Sequence, residues 1–403
     1  MAGTPVLGNL STAEVEGDPT LIPLDFDERF KRLKPDDTQF MTMMSRLPRR
    51  VAIREKVNWV EEDLFPRMVT IQTANANVPP AAGSDTLVLA AGHGKIVQPN
   101  DILRNMRTNE AYRVTAVSTD TLTVARTVGS AAGAAVNASD VLLVVADAQP
   151  QGADFPVPRY LQRVLGFNYT QIVRTPWAFT NTAIAVEWYG GREPAREGVR
   201  KAIEDKRKWE HLAFFGARSY AAAVPPENEP QGTCGGLIEF IQSYVLDSNG
   251  AVITPAAFDN FLAQVFQYGS TNKVLFASPL VVQNFSAWTR VGMGTQWAPT
   301  PENVFGVQVD AFISGAYGYR VPVVVKKEWG EFPTTGKGYG TYAFLVDMDY
   351  VEFRPLRDRS SKLLTDRQPR GKDTYAQEYL QEATFEISNE KAHGILKGCI
   401  APT

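Results

Sequence analysis

The chain has 403 residues, of which 44% are hydrophobic and 21% charged, with a formal net charge of −3. One to three domains with real cores are expected at that length and balance, and neither a basic excess nor an acidic tail marks a nucleic-acid partner. The two cysteines, Cys234 and Cys399, make neither a disulfide framework nor a metal motif, and no apolar run is long enough for a membrane span.

The first residues, MAGTPVLGNLSTAEVEGDPT, lack the basic-then-apolar pattern of a secretion signal, so the N-x-[ST] matches at Asn9, Asn137, Asn168 and Asn284 read as chance. Residues 1–36 have no apolar period and suit a disordered tail or an extended arm laid on something else. Asp36-Asp37-Thr38 can cap a short helix from Gln39 to Leu47, with Phe40, Met43, Met44 and Leu47 on one face. Arg46, Arg49, Arg50, Arg54 and Lys56 follow with one Glu55 among them; without stacking aromatics they read as an interface or a solvated face. Val57 to Thr73 is strand-like. Residues 75–150 then turn to Ala, Val, Thr and Gly, with short β runs at Thr86–Ala90, Ala111–Val117, Thr121–Arg126 and Val141–Ala146. Turn clusters between them, including Ser118-Thr119-Asp120, predict a small antiparallel barrel or sandwich set into a longer hairpin. Strand character returns over Phe155–Ala185, where Pro176 calls for an edge or a bulge.

The next stretch, Arg192 to Gly216, is the most charged part of the chain: twelve of the nineteen residues from Arg192 to Glu210 carry charge. Glu197→Lys201 and Glu204→Lys208 are spaced i,i+4 in the favoured order, each adding about 0.2–0.5 kcal/mol to a helix. Pro194 suits the first turn and Gly216 a stop, giving a rod of roughly 35 Å. Its apolar residues crowd the end, at Trp209, Leu212, Ala213, Phe214 and Phe215, so a narrow stripe packs inward and the rest faces water or other chains. A polar loop, 218–233, leads to a compact α/β region over 237–325. Thr254-Pro255 opens one helix and Ser278-Pro279 another; Lys273–Ala277, Val304–Phe312 and Arg320–Val325 read as strands. Long β runs follow at Thr341–Arg354 and Thr374–Ile387, with a basic segment between them, and Lys391–Cys399 closes the chain as a short strand.

Chemistry is harder to find. His93, His211 and His393 have no metal-spaced partners, and HExxH and G-x-S-x-G are absent. His211 reads as a surface or interface residue. AGHGK at 91–95 looks superficially like a phosphate loop, but it lies between β runs and lacks the full motif. Asp347 and Asp349 alternate as paired carboxylates would, yet an exposed strand face explains them better. No catalytic residue, cofactor site or metal site is assigned.

The order of parts resembles the major capsid proteins of tailed bacteriophages, the Hong Kong 97 fold. The phrases VNWVEEDLFPR, NYTQIVRTP, HLAFFGARS, TCGGLIEFI and FEISNEKAHGILKG are similar to the branch of phage SU-ten, over roughly residues 38–403. The resemblance implies an α+β fold with an N-terminal arm (1–55) and an extended loop (56–74 and 148–190) that carries the inserted β module (75–147). It also implies a peripheral domain (191–236 and 326–390) built on a spine helix (192–216), and an axial domain (237–325 and 391–403). It implies a non-catalytic subunit that forms hexamers and pentamers of a shell around double-stranded DNA in the virion, assembled in the bacterial cytoplasm. Portal, scaffold and decoration proteins would be its partners, with no membrane involved. An encapsulin-like compartment shell is the alternative, because fold alone does not fix function. An enzyme with a β accessory module is a third class, disfavoured by the lack of any motif. On this reading Arg196, Glu197, Arg200, Lys201, Glu204 and Lys208 face neighbouring copies. Arg354, Arg357, Arg359, Lys362, Arg367, Arg370 and Lys372 face DNA or an interface. Some relatives join a lysine of the extended loop to an asparagine of another subunit; Lys95, the sole lysine between Lys56 and Lys201, does not match that motif.

Overall fold

The computed structural model describes residues 38–76, 84–129, 131–186, 193–226, 228–290, 296–304, 307–313, 320–335 and 338–402. The chain divides into two compact units, residues 60–164 and the remainder. The expected arm before Thr38 and the cap at Asp36-Asp37 lie outside the described residues.

The smaller unit is one six-stranded antiparallel sheet, ordered Met68–Thr70, Val141–Asp147, Asp101–Asn105, Ala111–Ser118, Thr121–Ala125, Ser84–Val88. A bridge between Ile71 and Leu89, with Gln72 N–H donating to Val88 O (2.9 Å) and Ala90 N–H to Thr70 O (2.8 Å), joins the last strand to the first and closes a barrel. Closure removes the free edges that a small open sheet would leave. Period-two alternation sends Val69, Leu87, Leu103, Tyr112, Val114, Leu122, Val124 and Leu142 inward. So small an aliphatic core is reinforced by buried charge. Arg126, wholly buried, donates to both oxygens of Glu110 (3.0 and 2.8 Å) and to Asp85 (2.9 Å). Ala134 N–H and Tyr112 O–H also donate to Glu110, which lashes the loop after Ala125 to the sheet. Asp140 does the same for a second loop: hydrogen bonds from Arg107 (2.7 Å), Asn105 and Asn137 N–H hold its carboxyl down at about 2.

Among the described residues the larger unit has two main sheets besides a two-stranded hairpin. The first has seven strands, ordered Val245–Ala251, Gly394–Cys399, Ala343–Asp347, Lys273–Ala277, Arg320–Val325, Val307–Ile313, Gln296–Val304. Helices Pro255–Val265 and Pro279–Arg290 begin where their Thr-Pro and Ser-Pro pairs place them; Thr254 Oγ1 accepts from Ala257 N–H at 3.3 Å. In the second sheet, Thr374–Ile387 is the central strand, flanked by Val351–Pro355 and Lys362–Leu364 on one side and by Gln171–Thr180 on the other. Gln171–Thr180 is an edge strand, so Pro176 costs no ladder bond. The charged stretch forms a single helix, Glu193–Phe215. It ends where Gly216 meets Gly236: a Cβ on Gly216 would stand 2.5 Å from Cys234 O, so only glycine lets the two segments close.

The helix's apolar end enters the core. Phe214 touches Phe40 (5.0 Å), Phe276 (5.4 Å), Phe344 (5.2 Å) and Trp329 (4.9 Å), joining the N-terminal helix, the first sheet and the loop after Val325 in one aromatic cluster. The N-terminal helix is shorter than expected, Gln39–Met44, because Leu47 precedes Pro48 and is pushed out of helical geometry. Its free N–H groups are capped by the long helix: Phe40 and Met41 N–H donate to Glu210 at 2.9 and 2.8 Å. Lys326 Nζ, itself buried, donates to Glu210 (2.7 Å) and to Gln39 (3.0 Å).

Several strand expectations need correction. The expected loop 218–233 holds a hairpin, Ser219–Val224 with Glu229–Thr233. The expected strand stretch Phe155–Ala185 is outside any ladder up to Arg163, strand over Val164–Tyr169 and Gln171–Thr180, and helix over Asn181–Ala185. Val57–Thr73 is broken into Lys56–Glu61 and Met68–Thr70, with Pro66 between them. Thr341–Arg354 is two strands in different sheets, Ala343–Asp347 and Val351–Pro355, separated by a 3₁₀ turn that Asp347 caps by accepting from Asp349 N–H at 3.2 Å. Asp347 is therefore not on an exposed face but fully buried. Lys273, its direct cross-strand partner, meets it at 3.0 Å and also donates to Tyr268 O and Ala392 O. Asp349 points away and accepts from Asn272 (2.9 Å).

Candidate assembly surfaces

The charges in the first half of the long helix are satisfied along the helix itself. Arg200 pairs with Glu197 (2.8 Å), Lys201 with Glu204 (2.7 Å) and more loosely with Glu197 (3.8 Å), and Arg196 with Glu193. Lys208 instead turns to the sheet, donating to Arg174 O (3.0 Å) and Thr175 Oγ1 (2.8 Å). Thr175 donates in turn to Asp205, whose carboxyl is pushed up by burial. Exposed pairs of this kind are worth about 0–1 kcal/mol each, so they contribute little to the fold and can exchange partners at low cost. His211 is half-exposed, its Nε2 3.1 Å from Glu328, a carboxylate that Arg207 also engages.

The basic segment after Val351 splits in two. Thr374–Ile387 points Glu378, Glu382 and Glu386 to one face, four residues apart, while Ala383, Phe385 and Ile387 fill the core on the other. All three glutamates are buried and each has an arginine: Glu378 takes Arg367 (2.9 Å) and Arg174 (2.7 Å), Glu382 takes Arg359 (2.6 Å), and Glu386 takes Arg354 (2.5 Å). Arg354, Arg359 and Arg367 thus bind the connecting loop to its own sheet. Lys362 donates to Asp358 O (2.7 Å) and remains exposed. Arg357, Arg370 and Lys372 are exposed and have no ion pair among the described residues. In the sequence this glutamate face shows only as Glu-x-x-x-Glu-x-x-x-Glu at even strand positions, opposite an apolar odd face.

Elsewhere the titratable groups serve packing. His393, fully buried, accepts from Asp347 N–H at Nδ1 (3.1 Å) and lies 3.2 Å from Ser388 O at Nε2; burial pulls its pKa down to about 4. Burial lifts the Cys234 thiol to about 11. The AGHGK loop already holds an anion, because Gly92 and Gly94 N–H donate to Asp120 at 3.0 and 2.9 Å. Asn168 is a buried hub that bonds Gly235 O, Phe385 O and Cys234 Sγ, so its N-x-T match lies out of reach of any modifying enzyme. Among the described residues no group of three or more His, Cys, Asp or Glu side chains could hold a metal ion, and no helix is long and apolar enough to cross a membrane.

The molecule also exposes large apolar side chains. Leu64 and Phe155 are each 88% exposed and Tyr160 84%, with Val60, Val157, Leu161, Val164 and Leu165 also open to solvent. Single exposed leucines are ordinary, but a run of large apolar residues on two neighbouring stretches of chain marks a contact surface.

Comparison with known proteins agrees with this picture. The family model described as SU10 major capsid protein matches residues 8–399. The major capsid protein of Pseudomonas phage PaMx41 is 28% identical over 304 residues, covering 73% of this chain and 71% of its own. A solved structure described as Gordonia phage Cozz is similar over 100% of this chain and 99% of that chain, with a TM-score of 0.50 at 12% identity, a likeness of fold alone. The holo-SrpI encapsulin complex from Synechococcus elongatus PCC 7942 covers 60% of this chain and 80% of its own at 15% identity and a TM-score of 0.42, too loose to weigh between shell types.

Proposed function

This chain belongs to the SU10 major capsid protein family and is a phage major capsid protein; on that premise we propose that it assembles with copies of itself into hexamers and pentamers of a closed shell around double-stranded DNA. The observation that carries this reading is the exposed apolar run over 60–65 and 155–165. Left in water it costs roughly 25 cal/mol per Å² of apolar area that a partner could cover. Heterologous contacts between identical tiles close into rings, and many modest contacts multiply into a durable assembly.

Within that reading residues 1–55 are the arm, 56–74 and 148–190 the extended loop, and 75–147 its inserted module, except that Met68–Thr70 is a strand of the module's barrel. Residues 191–236 and 326–390 form the peripheral domain, and 237–325 with 391–403 the axial domain, except that Ala343–Asp347 lies within the axial sheet. Arg196, Glu197, Arg200, Lys201 and Glu204 lie toward neighbouring copies, where their weak intrahelical pairs can be traded for intersubunit ones, whereas Lys208, expected among them, is already engaged by the strand Gln171–Thr180. Contact with DNA falls to Arg357, Lys362, Arg370 and Lys372, whose charges are not spent on the glutamate face, as general phosphate contacts. The subunit is non-catalytic, and its other partners are a portal, a scaffold and decoration proteins.

Electron microscopy and sedimentation of the purified full chain test the reading. Large closed particles are expected, and copurified long DNA from infected cells. A discrete monomer that persists at high concentration sinks it, and particles loaded with an enzyme would move it to a compartment shell.

A further inference from the structure

The larger unit has an open cleft of about 260 Å³ between helix Gln39–Met44, the long helix and strand Thr374–Ile387. Met41, Trp209 and Phe353 supply its apolar lining, beside the polar Thr42, Ser45 and Gln381. Two exposed cations stand at the rim, Lys206 and Arg49, the latter 5.8 Å from the Phe353 ring; neither has a carboxylate partner among the described residues. The one acid lining the cleft, Asp205, is buried and already engaged with Thr175 at 3.0 Å. Apolar walls under a positive rim fit an apolar knob flanked by acid. The smaller unit carries such a knob: Leu64 projects into solvent directly after Glu62 and Asp63, both exposed. Leu64 N–H donates to Asp63 Oδ1 at 2.7 Å, which fixes the acid beside the knob. Glu62 has only a loose, solvent-exposed pair with Arg163 at 3.4 Å.

We propose that Leu64 of one copy enters this cleft on a second copy, with Asp63 and Glu62 facing Arg49 and Lys206. This contact rests on the shell reading and names one of its joints. Apolar insertion supplies the hold, and the charges supply register, because like charge at the same place repels a wrong partner.

The test uses the full chain, with particle yield read by sedimentation and electron microscopy. Leu64→Asp, at a position open to solvent, is expected to lower yield at least about tenfold with the circular dichroism spectrum unchanged. Asp63→Lys and Lys206→Glu should each lower it several-fold, and the two combined should restore it to within about twofold, as expected of groups that touch. A second measurement places Leu64→Cys and Ser361→Cys in one chain, in which Cys234 and Cys399 are buried. Oxidised particles should then run as disulfide-linked multimers on a non-reducing gel. The docking is overturned if the charge swap gives no recovery, if the disulfide closes within one chain or fails to form, or if the thiol introduced at position 361 is shielded before assembly and removal of residues 1–37 uncovers it. Wild-type chain that forms no particles defeats the shell reading itself; wild type and Leu64→Asp assembling equally well defeats only this joint.

Discussion

In the barrel, buried charge is neutralised by residues near in sequence: Arg126 meets Glu110 sixteen residues away and Asp85 forty-one away. In the larger unit, Lys326 reaches back 116 residues to Glu210 and Lys273 forward 74 to Asp347, and both clusters recruit a third segment through backbone groups. The device is the same, a carboxylate held by a long cation and by N–H groups, but its reach differs. The barrel's contacts are local enough to form without the rest, whereas the larger unit needs the segments after Thr38, in the long helix and near the C-terminus together. Two separate unfolding transitions are therefore expected, and substitution can move one while leaving the other.

The largest effects come from stranding a buried charge. Arg126→Ala leaves Glu110 and Asp85 without their cation and should cost the barrel transition about 3–5 kcal/mol; Glu210→Ala strands Lys326 and two helix N–H groups and should cost the other transition a similar amount. Differential scanning calorimetry with hydrogen exchange resolves them, and if both variants shift both transitions equally, the two units do not fold independently. Acid should separate the units next. The folded chain keeps His393 neutral down to about pH 4, whereas the unfolded chain takes up a proton near 6.5. The unfolded state thus binds more protons between those values, and the larger unit should lose up to about 3 kcal/mol as pH falls from 6.5 to 4. His393→Gln should flatten that slope. A barrel that shows the same slope would point to another group.

Smaller effects sharpen the contrast among the surface cations. Arg359→Ala uncovers the buried Glu382 and should cost about 1–2 kcal/mol, with little specific change in packaged DNA. Arg357→Ala should alter stability by less than about 0.5 kcal/mol while lowering DNA retained per particle. Equal DNA content in the two variants would remove Arg357 from the inner surface. Smallest is Arg200→Ala, about 0.3–0.5 kcal/mol by thermal melt of the unassembled chain, with any larger penalty confined to particle yield.

Features that depend on neighbours along the chain were legible in the sequence. The long helix, expected over 192–216, runs Glu193–Phe215, and the Thr-Pro and Ser-Pro starts and the strand Thr374–Ile387 fall where propensity and alternation place them. Features decided in space were not. Nothing near Glu210 says that its carboxylate caps a helix 170 residues earlier. Asp347 alternates like a surface residue, and only the register that sets Lys273 opposite makes it interior. The basic run after Val351 read as one patch because its glutamate partners lie on the next strand, so charge counting along the chain overstated what remains for a ligand.

The barrel's first strand, Met68–Thr70, is hydrogen-bonded to its last, Val141–Asp147, with Thr70 opposite Val141. The chain therefore leaves for this module and returns from it at nearly the same point, a separation of about 5 Å between paired Cα atoms. Such a junction works as a socket. A compact domain whose own ends lie side by side could be spliced between Arg67 and Leu143, giving an engineer a site for cargo, tags or antigens, provided Val144–Asp147 and Arg159, which pair with the replaced segment, are rebuilt with it.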